Sequence, residues 1–406
     1  MRDLVLTLSG DDQPGVTAGL NTALRENSVT IRQLEQIVLQ GHLVLGMVIS
    51  GPESELDQAQ VSAEKYAASR GMQCNARRIS DSDLDHWRER LIVTVMGAPL
   101  DPGDVAAITS TIAHSQGNID RIRQVAHYPV TAIEFEVGGV EKSSLRQQLA
   151  QVAREHKIDI AVQISGLDRR GTHLVVMDVD STFIQEEVIE LLAAKAGVLD
   201  KVAEITHRAM NGELDFEQSL RARVKMLAGL PEDVLAQVQT EIHLTPGART
   251  LTRTLSKIGF HTALVSGGFI EVVGPLANQL GVHDVRANSL EIVDGKLTGN
   301  LVGPVIDRQA KAQALIEFAQ AHDIPLSRTI AIGDGANDID MLNTAALGIA
   351  FNAKPYVRDL ADASVTTPYL DTVLYVMGIP RDHIDQSDAA AGITDHLVSE
   401  LHHPRG

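Results

Sequence analysis

Hydrophobic and polar positions follow two regimes along the chain, and the change falls near residue 170. Before it, short apolar strand-like runs alternate with helical patterns, and the whole series occurs twice. Leu4-Val5-Leu6-Thr7-Leu8 opens the first series. A helix over about 15–25, β-rich stretches over 30–39 and 42–49, a helix near 56–69 and a strand near 72–79 follow. Leu91-Ile92-Val93-Thr94-Val95 opens the second series, with helices near 105–114 and 143–155. Asp12-Gln13-Pro14-Gly15-Val16 follows the first opening strand, and Asp101-Pro102-Gly103-Asp104-Val105 follows the second at a constant offset. A repeat of about 90 residues is a whole small domain rather than a solenoid unit. The order strand, helix, strand, strand, helix, strand predicts two ferredoxin-like domains, at 1–80 and 88–166. Ser80-Asp81-Ser82-Asp83 separates them, and Gly166-Leu167-Asp168-Arg169-Arg170-Gly171 ends the second.

From Thr172 onward strands alternate with helices. His173–Met177, His261–Val265, Thr329–Ile332 and Leu347–Ala350 are the strand segments. This predicts a Rossmann-like α/β core, a parallel sheet between two helical layers, over 172–380. About 80 mostly helical residues separate the first two strands, far more than a crossover needs. They predict a small helical cap at about 186–246. Asn288–Leu301 reads as a hairpin around Asp294-Gly295, and 381–406 as a polar, loosely held tail.

Composition narrows the function. Aromatic residues make up 3% of the 406, so the cores are built from Leu, Val, Ile and Ala. The net charge of −18 argues against nucleic acid and anionic lipid as partners. A single cysteine, Cys74, excludes an intramolecular disulfide and fits a reducing, cytoplasmic setting. The chain opens with no signal-peptide pattern and carries no run of ~20 apolar residues, so no membrane association is expected.

Carboxylates stand out at two strand ends. Asp178 closes the run Leu174-Val175-Val176-Met177, and Thr329-Ile330-Ala331-Ile332 ends in Gly333-Asp334-Gly335-Ala336-Asn337-Asp338. In an open parallel sheet the carboxyl ends of the strands face one crevice. Several close carboxylates need a counter-ion, and a hard cation such as Mg²⁺ with oxygen ligands supplies it. One Asp at a strand end is usually only a cap or turn former. The combination is what points to phosphoryl chemistry.

With Ser266 after a strand and Lys311 further on, these segments resemble the haloacid dehalogenase superfamily of phosphohydrolases, over about 172–378. Asp178, ionised at neutral pH, needs no activating base to attack phosphorus and form an aspartyl-phosphate. The resemblance implies Asp180 as general acid and then base, with Asp178, Asp180 and Asp334 on the metal. It also implies that Ser266 and Gly267 hold a phosphate oxygen where a helix opens, and that Lys311 neutralises phosphoryl charge. Asp338 is placed to orient Lys311 or a metal-bound water. Alone, Lys311 would read as a solvated helix lysine.

Asp178 to Glu187, Phe216 to Val224, Ser266-Gly267-Gly268 and Asn337 are similar to the phosphoserine phosphatase family. That similarity implies Glu187 on the substrate ammonium, Arg223 on its carboxylate and Asn337 as a further contact. Arg221 competes with Arg223, and Met210 and Phe216 would seal the cap. The front repeats resemble ACT domains, which implies amino-acid binding at Gly15 and Gly103, serine as a feedback ligand, and a homodimer. The expectation is therefore Mg²⁺-dependent hydrolysis of O-phospho-L-serine, the last step of serine biosynthesis. The alternatives are a phosphatase of another small phosphomonoester, or a non-enzymatic amino-acid sensor.

Overall fold

A computed structural model of the chain describes residues 2–79, 90–210 and 213–393. The chain divides into two units, Met1–Arg88 and Glu89–Gly406. The linker segment Ser80-Asp81-Ser82-Asp83 lies outside the described residues.

The first unit contains strand β1 (Arg2–Asp11), helix α1 (Val16–Leu24), β2 (Thr30–Leu39), β3 (His42–Gly51), α2 (Glu53–Ser69) and β4 (Gln73–Ile79). All pairings are antiparallel, in the order β2-β3-β1-β4. Period-two alternation turns Leu4, Leu6 and Leu8 to the same face as Leu43, Leu45, Met47 and Ile49. Leu20, Leu56, Ala59 and Ala63 of the two helices close that core. The edge strand β2 is exposed along its whole length.

The second unit opens with the same plan: β5 (Arg90–Gly97), α3 (Pro102–His114), β6 (Asn118–Ala126), β7 (Thr131–Gly138), α4 (Lys142–His156) and β8 (Asp159–Ile164). Its order, β8-β5-β7-β6, repeats that of the first unit. Then come β9 (Leu174–Met177) and four cap helices, α5 (Val188–Lys195), α6 (Leu199–Met210), α7 (Phe216–Lys225) and α8 (Asp233–Glu241). The core continues through α9 (Ala248–Lys257), β10 (His261–Phe269), α10 (Ile270–Gln279), β11 (Asp284–Val293), β12 (Lys296–Val302), α11 (Arg308–Ala321) and β13 (Thr329–Gly333). It closes with α12 (Ile339–Thr344), β14 (Leu347–Phe351), α13 (Pro355–Leu360), β15 (Ala363–Val365), α14 (Val373–Val376) and α15 (Arg381–Ala390).

Strands β11-β10-β9-β13-β14-β15 are parallel neighbours, and β12 folds back on β11 as a hairpin. Its turn residues Asp294 and Gly295 both have positive φ, at 50° and 71°, the geometry a two-residue hairpin requires. β9 and β13 are buried on both faces, so they read as unbroken apolar runs.

One expectation needs correction, and one boundary is bridged. The polar segment 166–171 lies between the second repeat, which keeps an apolar core of its own, and the α/β core. β15 pairs with β8 at Ala363 and Ala161, so the second repeat and the α/β core share one sheet. Met96, Val125, Ala132 and Ala161 also lie in one apolar cluster with Val175, Phe183 and Tyr375. The chain beyond Pro380 is not loose through residue 390. Helix α15 buries Arg381, Ile384 and Asp388, and Asp388 takes a bidentate bond from Arg253. Its buried face is largely polar, which hides it from a hydrophobicity reading.

Candidate active site

Strands β9 and β13 are neighbours, and their carboxyl ends bring Asp178 and Asp334 to one crevice. The N–H of Asp178 still bonds Ile332 O, at 2.9 Å, before the chain turns away. Ser181 then takes φ 59°, a left-handed conformation that folds the loop back over the strand end.

Asp178 is 3% exposed. Its Oδ1 accepts from Val179 N at 2.7 Å and lies 2.7 Å from Lys311 Nζ. Lys311, from the first turn of α11, is fully buried and donates equally to Asp338 Oδ1 at 2.7 Å. Asp338 Oδ2 takes the N–H of Gly335, which closes the turn after β13. A Cβ on Gly333 would fall 2.5 Å from the Asp338 carboxyl carbon, so that close approach requires glycine.

Burial alone would pull the Lys311 pKa down, but Asp178 and Asp338 override it and push it above its ordinary value. Asp178 is itself pushed well above the usual carboxylate range, first by burial and then by Asp338, against the pull of Lys311. The two partners thus disagree about whether the pair is ionised. The short Nζ to Oδ1 contact favours the ion pair, because a proton on Asp178 would leave a buried ammonium half-compensated.

Asp180 points elsewhere. Its Oδ1 accepts from Val188 N at 2.8 Å and its Oδ2 from Ser266 Oγ at 3.0 Å. Burial raises its pKa, and these two donors oppose the rise. Ser266 Oγ also accepts from Gly268 N at 2.7 Å. The expectation that Ser266-Gly267-Gly268 opens a helix is not met. These residues extend β10 with a register shift between Val265 and Phe269, and α10 begins at Ile270. Gly267 lies with the Phe216 ring 3.4 Å from where its Cβ would stand. The side chain of Met210 lies outside the described residues.

Carboxylate oxygens of Asp178, Asp334 and Asp338 lie within 4.8 Å of one another. Asp334 takes Thr182 Oγ1 at 2.9 Å, and burial followed by Asp338 raises its pKa to about 6. An all-oxygen donor set of closely spaced carboxylates suits a hard divalent cation. The oxygens of Asp180 are engaged with Ser266 and Val188 and are not part of that cluster.

The cap contributes the second half of the cleft. Glu187 accepts from Ser181 Oγ at 3.2 Å. Lost solvation, then repulsion from Asp180, raises its pKa to about 7, although the residue is exposed and solvent screening tempers the effect. Arg223 is half-buried in the field of Glu187 and Asp180. Burial lowers its pKa while those carboxylates hold it up, and it stays charged. Arg221 is exposed and paired with Glu217 one turn away. Asn337 is half-buried, with its side-chain oxygen against Gly335 on the turn that carries Asp334.

The two repeat glycines differ. Gly15 has φ 85° and begins α1 with no side-chain cap. Gly103 donates its N–H to the Asp101 carboxylate at 2.6 Å, inside a complete capping box.

Some contacts carry no strong sequence signal. Thr182 is visible in the motif, but not as the partner of Asp334. Buried Asn288 donates to Gly267 O and accepts from Ile306 N, each at 2.8 Å, tying the Ser266 loop to the approach of α11. Two carboxylates in separate hydrogen-bonded settings, beside a buried lysine and a serine hydroxyl, can divide nucleophilic and proton-transfer work between them.

Comparison with known proteins agrees with this architecture. The haloacid dehalogenase-like hydrolase family matches residues 175–343, and ACT-domain families match 2–76 and 91–163. A phosphoserine phosphatase of Streptomyces coelicolor is 50% identical over 390 residues, which is 96% of this chain and 95% of that protein. Phosphoserine phosphatase SerB2 of Mycobacterium tuberculosis is 46% identical over 392 residues, 95% of each. Among solved structures, the unliganded probable phosphoserine phosphatase from Vibrio cholerae matches with a TM-score of 0.58 at 35% identity, over 73% of this chain and 88% of that one. The match runs almost end to end, through both ACT domains and the carboxylate crevice, and the chain belongs to the phosphoserine phosphatase family of haloacid dehalogenase-like hydrolases.

Proposed function

We propose that the protein hydrolyses O-phospho-L-serine to L-serine and phosphate through an aspartyl-phosphate on Asp178. The observation that carries this reading is the division of labour between Asp178, held against Lys311, and Asp180, held against Ser266. The free pair of electrons on Asp178 attacks phosphorus as the bond to the serine oxygen breaks. Asp180, whose raised pKa keeps a proton within reach, gives that proton to the leaving oxygen. It then takes a proton from the water that cleaves the acyl phosphate, which regenerates Asp178. Ser266 and the N–H groups around Gly267 and Gly268 orient a phosphoryl oxygen, and Lys311 meets the charge that develops in transfer.

Asp178 and Asp334 are the residues we assign to Mg²⁺, with Asp338 nearby, while the Asp180 carboxylate stays with Ser266 and Val188. When bound, Mg²⁺ would supply charge neutralisation for the carboxylates and the phosphoryl group. Glu187 takes the substrate ammonium, Arg223 its carboxylate and Asn337 a further contact. In this reading the cap residues select an amino-acid phosphate over a plain alkyl or sugar phosphate.

Similarity to named phosphoserine phosphatases supports the substrate. The ACT domains support regulation by an amino acid, and we assign that role to serine, as feedback on the last step of its own synthesis in a cytoplasmic homodimer. The uncapped helix start at Gly15 favours the first domain as the one that binds. No described helix is long and apolar enough to cross a membrane.

The test is phosphate release from O-phospho-L-serine, phosphoethanolamine and sugar phosphates, each with and without Mg²⁺ and serine. Preference for O-phospho-L-serine, dependent on Mg²⁺, is the expected result. Equal rates on all three substrates would remove the assignment of Glu187 and Arg223.

A further inference from the structure

The second ACT domain reaches the carboxylate crevice through a series of buried and half-buried contacts. In the loop between β6 and β7, Tyr128 O accepts the hydroxyl of Tyr375 at 3.1 Å, and Tyr375 is fully buried. Arg381 donates to that same hydroxyl at 3.4 Å, and its guanidinium lies 5.5 Å from the Tyr128 ring centroid. Arg381 is 4% exposed and also faces Asp371 Oδ2 at 3.7 Å.

Asp371 is buried, and its Oδ1 has no hydrogen-bond partner among the described residues. The turn that holds it rests on the chain entering α9. Leu370 N donates to Pro246 O at 2.7 Å, and the Asp371 side chain fills the space where a Cβ on Gly247 would stand. The next residue back is Thr245, also buried. Its N–H bonds Phe183 O at 3.0 Å and its hydroxyl bonds Thr182 O at 2.7 Å. Thr182 Oγ1 in turn holds Asp334. Each link is a hydrogen bond, an ion pair, a direct packing contact or the chain itself. A buried ion pair with one partner removed leaves an uncompensated charge, so Arg381 fixes the 370–372 turn more firmly than packing alone.

We propose that Arg381 is a positioning residue for Asp334, and that this strut carries displacement of the Tyr128 loop in the second ACT domain to the carboxylate crevice. The inference rests on the proposed phosphatase reading, in which Asp334 holds the metal. It assigns the second ACT domain a mechanical role that is separate from amino-acid binding in the first.

The test uses the full chain and the variants Arg381→Met, Arg381→Lys, Tyr375→Phe and Thr245→Val. Mg²⁺ affinity is read by calorimetry and by the Mg²⁺ dependence of phosphate release. Arg381→Met weakens Mg²⁺ binding by at least about threefold, the scale on which residues coupled at a distance act. The KM for the phosphomonoester moves less than about twofold, because the substrate contacts are untouched. Arg381→Lys restores part of the loss, since charge remains and the planar fork does not. Unchanged Mg²⁺ affinity in Arg381→Met, with one cooperative melting transition, overturns the proposal. If that variant does not fold, unchanged affinity in both Tyr375→Phe and Thr245→Val overturns it instead. A parent protein that binds no Mg²⁺ sinks the metal reading, and the strut is then decided by hydrogen exchange of residues 179–186 without metal. Faster exchange in Tyr375→Phe and Thr245→Val supports it, and unchanged exchange refutes it.

Discussion

The ammonium of Lys311 lies 2.7 Å from a carboxylate oxygen of Asp178, and both side chains are buried. A second contact of equal length reaches Asp338, so one cation balances two acids. Replacing Lys311 by Met leaves both acids buried without it. The expected loss is about 3–5 kcal/mol of stability in metal-free protein, read by urea denaturation. Excess Mg²⁺ should recover part of that stability, while phosphate release stays at least about 100-fold below the parent.

Asp180 is separated from Asp178 by its bonds to Ser266 and Val188, so its substitution should strike proton transfer rather than phosphoryl transfer. In Asp180→Asn we expect kcat to fall by about 10²–10⁴. Rapid acid quench with labelled substrate then separates its two tasks: label trapped on the protein places the slow step at hydrolysis of the aspartyl-phosphate, and no trapped label places it at protonation of the leaving oxygen.

Arg221 is tied to Glu217, whereas Arg223 stands in the field of Glu187 and Asp180. Arg223→Ala should therefore raise the KM for O-phospho-L-serine by at least about tenfold, the cost of losing a charged bidentate contact. An aryl phosphate with no carboxylate should be affected far less. Arg221→Ala should leave both substrates near the parent values, and a larger effect there would reverse the assignment.

Asp159 is 2% exposed where β8 meets β15, and it accepts from Thr366 N at 2.8 Å and from Ser364 Oγ at 3.3 Å. Burial raises its pKa to about 6, against those donors. An acid with a raised folded-state pKa favours the folded state below its unfolded pKa and loses that contribution as pH climbs through the folded value. Metal-free protein should thus lose stability between about pH 4 and pH 6, by at most about 3 kcal/mol from this group. Asp159→Asn should flatten the slope in that window. An unchanged slope in melting temperature against pH would discount the residue.

Much of this architecture is legible in the sequence, for physical reasons. The repeat shows because Pro14-Gly15 and Pro102-Gly103 punctuate two copies of one strand and helix pattern. The crevice shows because β9 and β13 are buried on both faces and end abruptly in acids. Other features escape. The join of β8 to β15 rests on one residue pair, Ala161 and Ala363, and leaves no periodic mark. Helix α15 hides its packing face because Arg381 and Asp388 are buried as paired charges. Thr182 and Thr245 act through hydroxyls whose partners are distant in sequence, and a local pattern contains no trace of them.

The shared sheet bears on how this chain can be cut and recombined. The first ACT domain closes a core of its own, with Leu4, Leu6 and Leu8 against Leu20 and Leu56. A cut after residue 166 is different. It strips the partner from β15 and takes away Tyr128, whose carbonyl accepts the buried Tyr375 hydroxyl. In any attempt to build chimaeras from this chain, the second ACT domain travels with the catalytic core whose sheet it extends.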